Sequence, residues 1–278
     1  MATYCLLTTS IVSADNSKLQ RMIDSLREYD GADDVQIRHI LLLQKTSPEQ
    51  GEALRTSMNM PAWTELLTEP EMMSLSKARN IMLRHLHTVN PPAPSAIVAF
   101  PDDDCWYPSG LLRYISGVVA DKQSEFFFCR YATQTQQVSS ALTVQVPTYG
   151  DLVFNASSNT LFINAGVVKA IGAFSEELGV GAKYNGGEDL DYAVQAYRRA
   201  SNKTWVNAPL VGHRDKMEGL KGNYFTGSAR VLRSNALHSP EAMYHFLRKM
   251  TIGVYLVIKG EMPLSRLMQV FERSNQSV

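Results

Sequence analysis

The chain has only three cysteines, Cys5, Cys105 and Cys129, and no two of them stand at the close spacing of a zinc site. An odd, scattered set also excludes a disulfide framework, so a reducing cytoplasm is the expected compartment. Net charge is missing too. Lys and Arg together number 27 and Asp and Glu together number 27. The basic excess of a general nucleic-acid binder is therefore absent, and no nucleic-acid partner is expected. No apolar run approaches the roughly 20 residues of a membrane span. Near the end, the uncharged stretch 250–258 is closed off by Lys249 and Lys259. Met1-Ala2-Thr3-Tyr4 carries no basic n-region, so no secretory signal is expected. Internal repeats and low-complexity tracts are also lacking.

What is there suits a large α/β domain. With 278 residues and 45% apolar content, the chain can bury a full core, alone or with an appendage. Strands are expected at 4–12 and 37–43, with a helix between them at 16–29 carrying Leu19, Met22, Ile23 and Leu26 at helical spacing. Segment 51–73 reads as a loop-rich connection with a short strand near 65–67. A helix is expected at 74–86, and a proline-rich turn at 90–95 precedes the run Ile97-Val98-Ala99-Phe100. Segment 125–162 reads as strand-rich, 166–171 as a short helix, 173–185 as an irregular loop and 188–200 as an amphipathic helix. A last short strand at 205–206 runs toward 211–213. Alternation of this kind predicts an open, mostly parallel sheet flanked by helices. From about residue 214 the pattern turns helical and basic-apolar, which divides the chain into 1–215 and a C-terminal helical extension, 216–278.

Four segments carry side chains suited to chemistry. Asp102, Asp103 and Asp104 follow the apolar run directly, where strands of an open sheet present ligand sites. Like charges so close are tolerated best beside a cation; read alone, the triplet fits an acidic turn and a metal site equally. Tyr184-Asn185-Gly186-Gly187-Glu188-Asp189-Leu190-Asp191 opens a helix. Its acids suit the helix dipole, and its glycines suit a close backbone approach to a ligand. A carboxylate there is a candidate general base. Val211-Gly212-His213-Arg214-Asp215 ends a strand on an imidazole, a good partner for carboxylates around a divalent ion. In Leu75-Ser76-Lys77-Ala78-Arg79-Asn80, the guanidinium of Arg79 is a candidate partner for a base, a carboxylate or phosphate oxygens, and an exposed basic face is the plain alternative.

Taken in order, LSKARN, AFPDDDCWYP, IGAFSEELGVGAKYNGGEDLDYAVQAYRRA and VGHRD resemble the family-2 glycosyltransferases of GT-A fold. The likeness spans residues 3–215 and is nearest to bacterial enzymes that build capsular or exopolysaccharide chains. It implies an α/β GT-A fold: an open mixed, mostly parallel sheet flanked by helices. It also implies a metal-dependent, inverting transfer of sugar from a nucleotide-diphosphate sugar, a UDP-sugar in the first instance. The acceptor would be a saccharide or a lipid-linked saccharide.

Residue roles follow from the same resemblance. Asp104, His213 and Asp102 would hold Mn2+ or Mg2+ at the donor diphosphate, with Asp102 or Asp103 reaching the ribose or a metal-bound water. Arg79 would contact the nucleotide, and Thr8, Thr9 and Ser10 would flank the base. Asp189 would be the catalytic base, while Gly187 and Glu188 would orient the acceptor or the loop. Past the span of the resemblance, Lys216, Lys221 and Arg230, with Arg214 just before them, are read from the residues alone as candidates for a basic lid over the diphosphate. Relatives often end the second strand on an acid that recognises uracil; here Gln44 stands in that place and offers an amide instead.

Residues 240–259 mix apolar side chains with Arg248, Lys249 and Lys259. They are read as a peripheral contact with the inner face of the cell membrane, or as a helix packed on the catalytic domain or on another copy in a homo-oligomer. Two other functional classes are retained: a nucleotidyltransferase of sugar phosphates, and a non-catalytic sugar-nucleotide-binding component of a polysaccharide assembly complex.

Overall fold

The computed structural model describes residues 1–214 and 222–272. In chain order the elements are β1 (Ala2–Ile11), α1 (Ser17–Asp24), β2 (Val35–Gln44), α2 (Pro48–Ser57), β3 (Thr64–Glu69), α3 (Leu75–Thr88), β4 (Ile97–Ala99) and α4 (Leu111–Lys122). They continue with β5 (Phe126–Ala132), β6 (Val144–Gln145), α5 (Tyr149–Asn155), β7 (Leu161–Asn164), α6 (Ala165–Ile171), α7 (Glu188–Arg199) and β8 (Lys203–Gly212). Helices α8 (Phe225–Asn235), α9 (Pro240–Ile258) and α10 (Leu264–Met268) complete the described chain.

One sheet runs in the order β3-β2-β1-β4-β7-β5-β8-β6. Strands β3, β2, β1 and β4 are mutually parallel, as are β5 and β8, whereas β7 is antiparallel to both neighbours and β6 to β8. The strands are apolar on both sides because both faces of the sheet are covered. On one face Cys5, Leu7, Ile40, Leu42 and Val98 pack with Ala78, Met82 and Leu86 of α3 and with residues of α6 and α7. On the other, Tyr4, Leu6, Leu41, Leu43 and Ile97 pack with Met22 and Ile23 of α1 and with Leu112 and Ile115 of α4. The period-2 alternation of the strands sorts one set from the other.

The reversed strand β7 has a functional consequence. Ala99 of β4 pairs with Phe162 of β7. Because the two run in opposite directions, the residues just before β7 lie beside the residues just after β4. That places Ser158 and Asn159 against the aspartate triplet.

The C-terminal helices build a small cluster of their own from Phe225, Ala229, Leu256, Met262, Leu267 and Val270. They are also tied to the larger core, which Val231, Leu232 and Ala242 join.

Three local expectations are corrected. Segment 51–73 contains the last turns of α2, a helix rather than a loop. Its start is a capping box in which Ser47 and Gln50 satisfy each other's backbone, with Pro48 in the first turn. It buries only Gly51 fully, so it shows no apolar stripe to read. The strand-rich region 125–162 includes helix α5, opened by a similar box of Thr148 and Asp151. Strand β8 is ten residues long rather than short. Pro209 sits within it where the pairing with β5 shifts register, and a residue without a backbone N–H breaks the strand pattern in the sequence.

Candidate active site at the carboxyl edge of the sheet

Asp102, Asp103 and Asp104 sit just beyond β4, between the ends of β1 and β8. Trp106 fixes the far side of this loop by exchanging both backbone hydrogen bonds with Gly212, each 2.9 Å. The indole lies so close over Gly212 that a Cβ there would come within 2.0 Å of the ring, which explains the glycine before His213. Arg21 lies over the indole at 3.9 Å and donates to the Asp104 carbonyl at 2.9 Å.

Ligand atoms of Asp102, Asp104 and His213 lie within 4.8 Å of one another. His213 Nε2 is 2.9 Å from Asp104 Oδ1 and 3.7 Å from Asp102 Oδ2. The short approach is poorly directed, so this buried nitrogen has no well-formed hydrogen bond. Its other nitrogen, Nδ1, lies 2.8 Å from the Arg214 carbonyl, a contact that fixes the tautomer and aims Nε2 at the carboxylates. Two carboxylates and an imidazole whose Nε2 lacks a well-formed hydrogen bond fit a divalent cation. Burial works to raise the pKa of Asp104, but contact with His213 and the charges of His213 and Arg214 hold it below the ordinary carboxylate value. Burial works to lower that of His213, and the adjacent carboxylates of Asp104 and Asp102 raise it instead.

A second group is locked to the first. Arg79 is almost fully buried; its guanidinium lies 2.7 Å from Asp189 Oδ1 and 3.4 Å from Asp102 Oδ1. Asp189 Oδ2 accepts the Ser158 N–H at 2.9 Å. Asn159 Oδ1 accepts the Asp102 N–H at 2.6 Å, and its Nδ2 donates to Asp102 Oδ2 at 2.9 Å. The contacts close a ring: Asp102, Arg79, Asp189, Ser158, Asn159 and back to Asp102. Ser158 and Asn159 were not singled out from the sequence. Their only signal is a polar run, Ser157-Ser158-Asn159-Thr160, ahead of a buried strand.

Asp189 occupies the first turn of α7, which begins after Gly187 in a left-handed conformation, φ +91°. A Cβ on Gly187 would lie 2.5 Å from the Gly227 backbone, and one on Gly227 would lie 1.9 Å from the Gly186 carbonyl oxygen. The close approach made by the glycine pair is therefore to helix α8, where the sequence reading expects a ligand. Glu188 is buried beside Asp189, and burial followed by the Asp189 charge pushes its pKa up to about 7. Phe174 stacks on Tyr192 at 4.0 Å, and both rings meet Phe100 edge-on. These aromatics hold α7 and the preceding loop against the end of β4. Asn80 pins the same loop by accepting from the Phe174 N–H and donating to its carbonyl.

The remaining expected residues divide. Ser10 donates to Asp103 Oδ2 at 2.5 Å, giving Asp103 a partner on β1. Burial nevertheless raises the pKa of Asp103. Thr9 accepts from Gln44 Nε2 at 3.0 Å, and Gln44 Oε1 accepts the Met73 N–H at 2.8 Å. The Gln44 amide is thus largely spent on joining β1 to the loop before α3. Thr8 is fully buried and its hydroxyl has no hydrogen-bond partner. Arg214 lies with its Nε 3.2 Å from Asp104 Oδ2. Lys216 and Lys221 lie outside the described residues. Arg230 is corrected: it belongs to α8, stacks 3.9 Å over Tyr184 and donates to the carbonyls of Gln269 and Glu272. Those contacts join α8 to the end of the described chain, and they leave no lid role for it.

No family model matches the sequence, and no curated protein sequence matches it. Solved structures do. Staphylococcus aureus TarS, residues 1–349, superposes with a TM-score of 0.63 at 13% identity, over 90% of this chain and 71% of that one. The same TarS fragment in complex with UDP-GlcNAc gives 0.64 at 16% identity, over 90% and 72%. A longer TarS chain gives 0.66 at 12% identity, covering 90% of this chain and 43% of its own. Identity this low carries the fold alone. The fold is the expected one, an open mixed α/β sheet of GT-A type with helices after it.

Proposed function

We propose that the chain is a metal-dependent, inverting glycosyltransferase that moves a sugar from a UDP-sugar to a saccharide or lipid-linked saccharide acceptor. The observation that carries this reading is the joining of two chemically distinct halves. The group Asp102, Asp104 and His213 is suited to a cation, and Arg79 ties it to a carboxylate on a separate helix, Asp189. A leaving diphosphate needs the first, and an attacking hydroxyl needs the second. TarS, which shares the fold, has been solved with UDP-GlcNAc and with UDP, which supports a uridine donor.

Held by Asp104, His213 and Asp102, Mn2+ or Mg2+ would act as a Lewis acid for the charge on the leaving diphosphate. The chain's own residues do the rest. Arg79 and the Ser158 N–H hold the Asp189 carboxylate in a fixed orientation. A carboxylate has about four lone-pair sites, so Asp189 retains the capacity to take the acceptor's proton. Attack on the anomeric carbon from the face opposite the diphosphate then inverts its configuration. Ser10, Asp103, Thr9 and Gln44 border the nucleoside end of the cleft, and Gln44 keeps one amide N–H for a base carbonyl. Arg214, Lys216 and Lys221 supply cations at the diphosphate, and Gly187 and Glu188 border the acceptor. Residues 1–215 carry the donor and catalytic groups, with 216–278 as an accessory extension.

The test is a thermal-shift screen of nucleoside diphosphates and nucleotide sugars with and without Mn2+, followed by product analysis. Stabilisation by a UDP-sugar that chelator abolishes, and Mn2+ or Mg2+ restores, is the expected outcome. Full transfer in excess chelator would reject the metal, and release of a nucleotide sugar from a sugar phosphate would reject glycosyl transfer.

A further inference from the structure

The outward face of α9 is apolar. Tyr244, Leu247, Val254, Tyr255 and Ile258 are 60%, 55%, 47%, 53% and 80% exposed, and Thr251 lies exposed among them. At 3.6 residues per turn these positions fall within ~100° of the helix circumference. The opposite face is already used: Ala242, His245, Gly253 and Leu256 are buried, and a Cβ on Gly253 would lie 2.3 Å from the Phe225 ring. A surface helix ordinarily turns charged and polar residues outward. This one is apolar on both sides, so its packing on the domain accounts for only half of its character.

Charge decides what covers the other half. From 242 to 260 the sequence has Arg248, Lys249 and Lys259 and no Asp or Glu. Arg248 is exposed; Lys259 is half-exposed and lies 3.8 Å from Glu261, just past the helix. At helical spacing both border one edge of the apolar arc. Glu241, at the helix start, is occupied by the Gly150 N–H at 2.9 Å. A second copy laid antiparallel against this face would bring Arg248, near the helix midpoint, toward its own counterpart, with no carboxylate between 242 and 260 to meet it. An anionic surface matches both the apolar arc and its basic flank, and Tyr244 and Tyr255 are amphipathic rings suited to a headgroup boundary. No described helix is long and apolar enough to cross a membrane. We infer that α9 lies flat on a phospholipid surface bearing anionic headgroups, with Tyr244, Leu247, Val254, Tyr255 and Ile258 inserted and Arg248 and Lys259 at the phosphates.

The test is flotation of the full chain with vesicles of phosphatidylcholine alone or mixed with phosphatidylglycerol, at low and high salt. Binding should require phosphatidylglycerol and weaken with salt. Leu247→Asp and Ile258→Asp should each reduce partitioning about tenfold or more, the effect of one large apolar side chain. Both variants should melt at the wild-type temperature; if Leu247→Asp fails to fold, Ile258→Ser, at the most exposed position of the set, gives the same reading. Arg248→Glu should weaken binding to the anionic vesicles and flatten its salt dependence. Two results would overturn the inference. One is equal partitioning of variants and wild type, including no binding by any of them. The other is a lipid-free dimer in sedimentation that the same substitutions abolish, which would make a second copy the occupant. No donor is needed in this assay, so its failure leaves the catalytic reading standing.

Discussion

Arg79 and Asp189 are separated by 110 residues of chain and meet at 2.7 Å. The guanidinium also reaches Asp102, so one buried cation holds a carboxylate from each half of the site. Removing it would leave two partly buried carboxylates facing each other uncompensated. Arg79→Ala is expected to cost about 3–5 kcal/mol, the usual range for breaking a buried pair by deleting one partner. Arg79→Lys should recover little, because a single ammonium cannot hold two carboxylates in the planar geometry of a guanidinium. Urea denaturation of the three proteins measures both effects.

Asn159 offers a cleaner separation of positioning from stability. Its amide fixes Asp102 at both the backbone and the side chain, and it is not itself one of the candidate cation ligands. Loss of a hydrogen-bonding neighbour of a metal ligand commonly lowers metal affinity about 10–100-fold. Asn159→Ala should show that loss in Mn2+ titrations, with stability reduced by only about 1–3 kcal/mol. Unchanged Mn2+ affinity would leave Asn159 with a purely structural role.

How much of this was legible in the sequence depended on residue type. Asp102, Asp104, Asp189, His213 and Arg79 stand out because carboxylate clusters, imidazole and guanidinium are costly to place and rarely idle. Ser158 and Asn159 carry no such mark. They matter because β7 runs antiparallel beside β4 and so brings Asn159 to Asp102 across 57 residues of chain, which no local pattern encodes. Helices α2 and α5 are hidden for a related reason: their starts are encoded in side-chain capping, while their apolar faces are too small to show a period. The glycine pair 186–187 does mark a close approach, but its partner is Gly227 of α8 rather than the ligand that the sequence pattern suggests.

That glycine contact gives a third expectation. Gly227 lies inside α8, where alanine would ordinarily gain about 1 kcal/mol of helix propensity. Here the added Cβ would stand 1.9 Å from the Gly186 carbonyl oxygen, a backbone atom that cannot swing away. Gly227→Ala should therefore destabilise the protein, by about 1–3 kcal/mol on the scale of overpacked cores. A stabilised variant in thermal denaturation would show that α8 is not seated on the α7 turn.

Glu188 sets a pH dependence whose sign is fixed. Its folded-state pKa is pushed from the ordinary 4.5 up to about 7 by burial and then by the neighbouring Asp189 charge. Between those values the folded chain holds a proton that the unfolded chain has released, so Glu188 makes stability fall as pH rises from about 4.5 to about 7. Above that window its contribution is flat. Other buried acids titrate as well, so the useful quantity is the difference between wild type and Glu188→Gln. That difference should favour the variant increasingly as pH climbs through the window; a difference independent of pH would sink the assignment.

The sharpest expectation concerns Asp189→Asn. Asparagine preserves the shape of the side chain, can still accept the Ser158 N–H through its carbonyl oxygen, and removes the charge that faces Arg79. Sugar transfer should fall by at least 100-fold, the lower range for loss of a general base, while UDP-sugar binding, assigned in the proposal to the β1 edge and the cation group, should stay near wild type. Stability should fall too, because Arg79 loses one of its two compensating charges, so transfer must be compared well below the melting temperature. Glu188→Gln serves as the control: it alters the neighbouring carboxylate but leaves the Asp189 contacts in place. Comparable loss in both variants would move the proton-accepting role toward the pair, whereas near-normal turnover in Asp189→Asn would remove Asp189 from the chemistry.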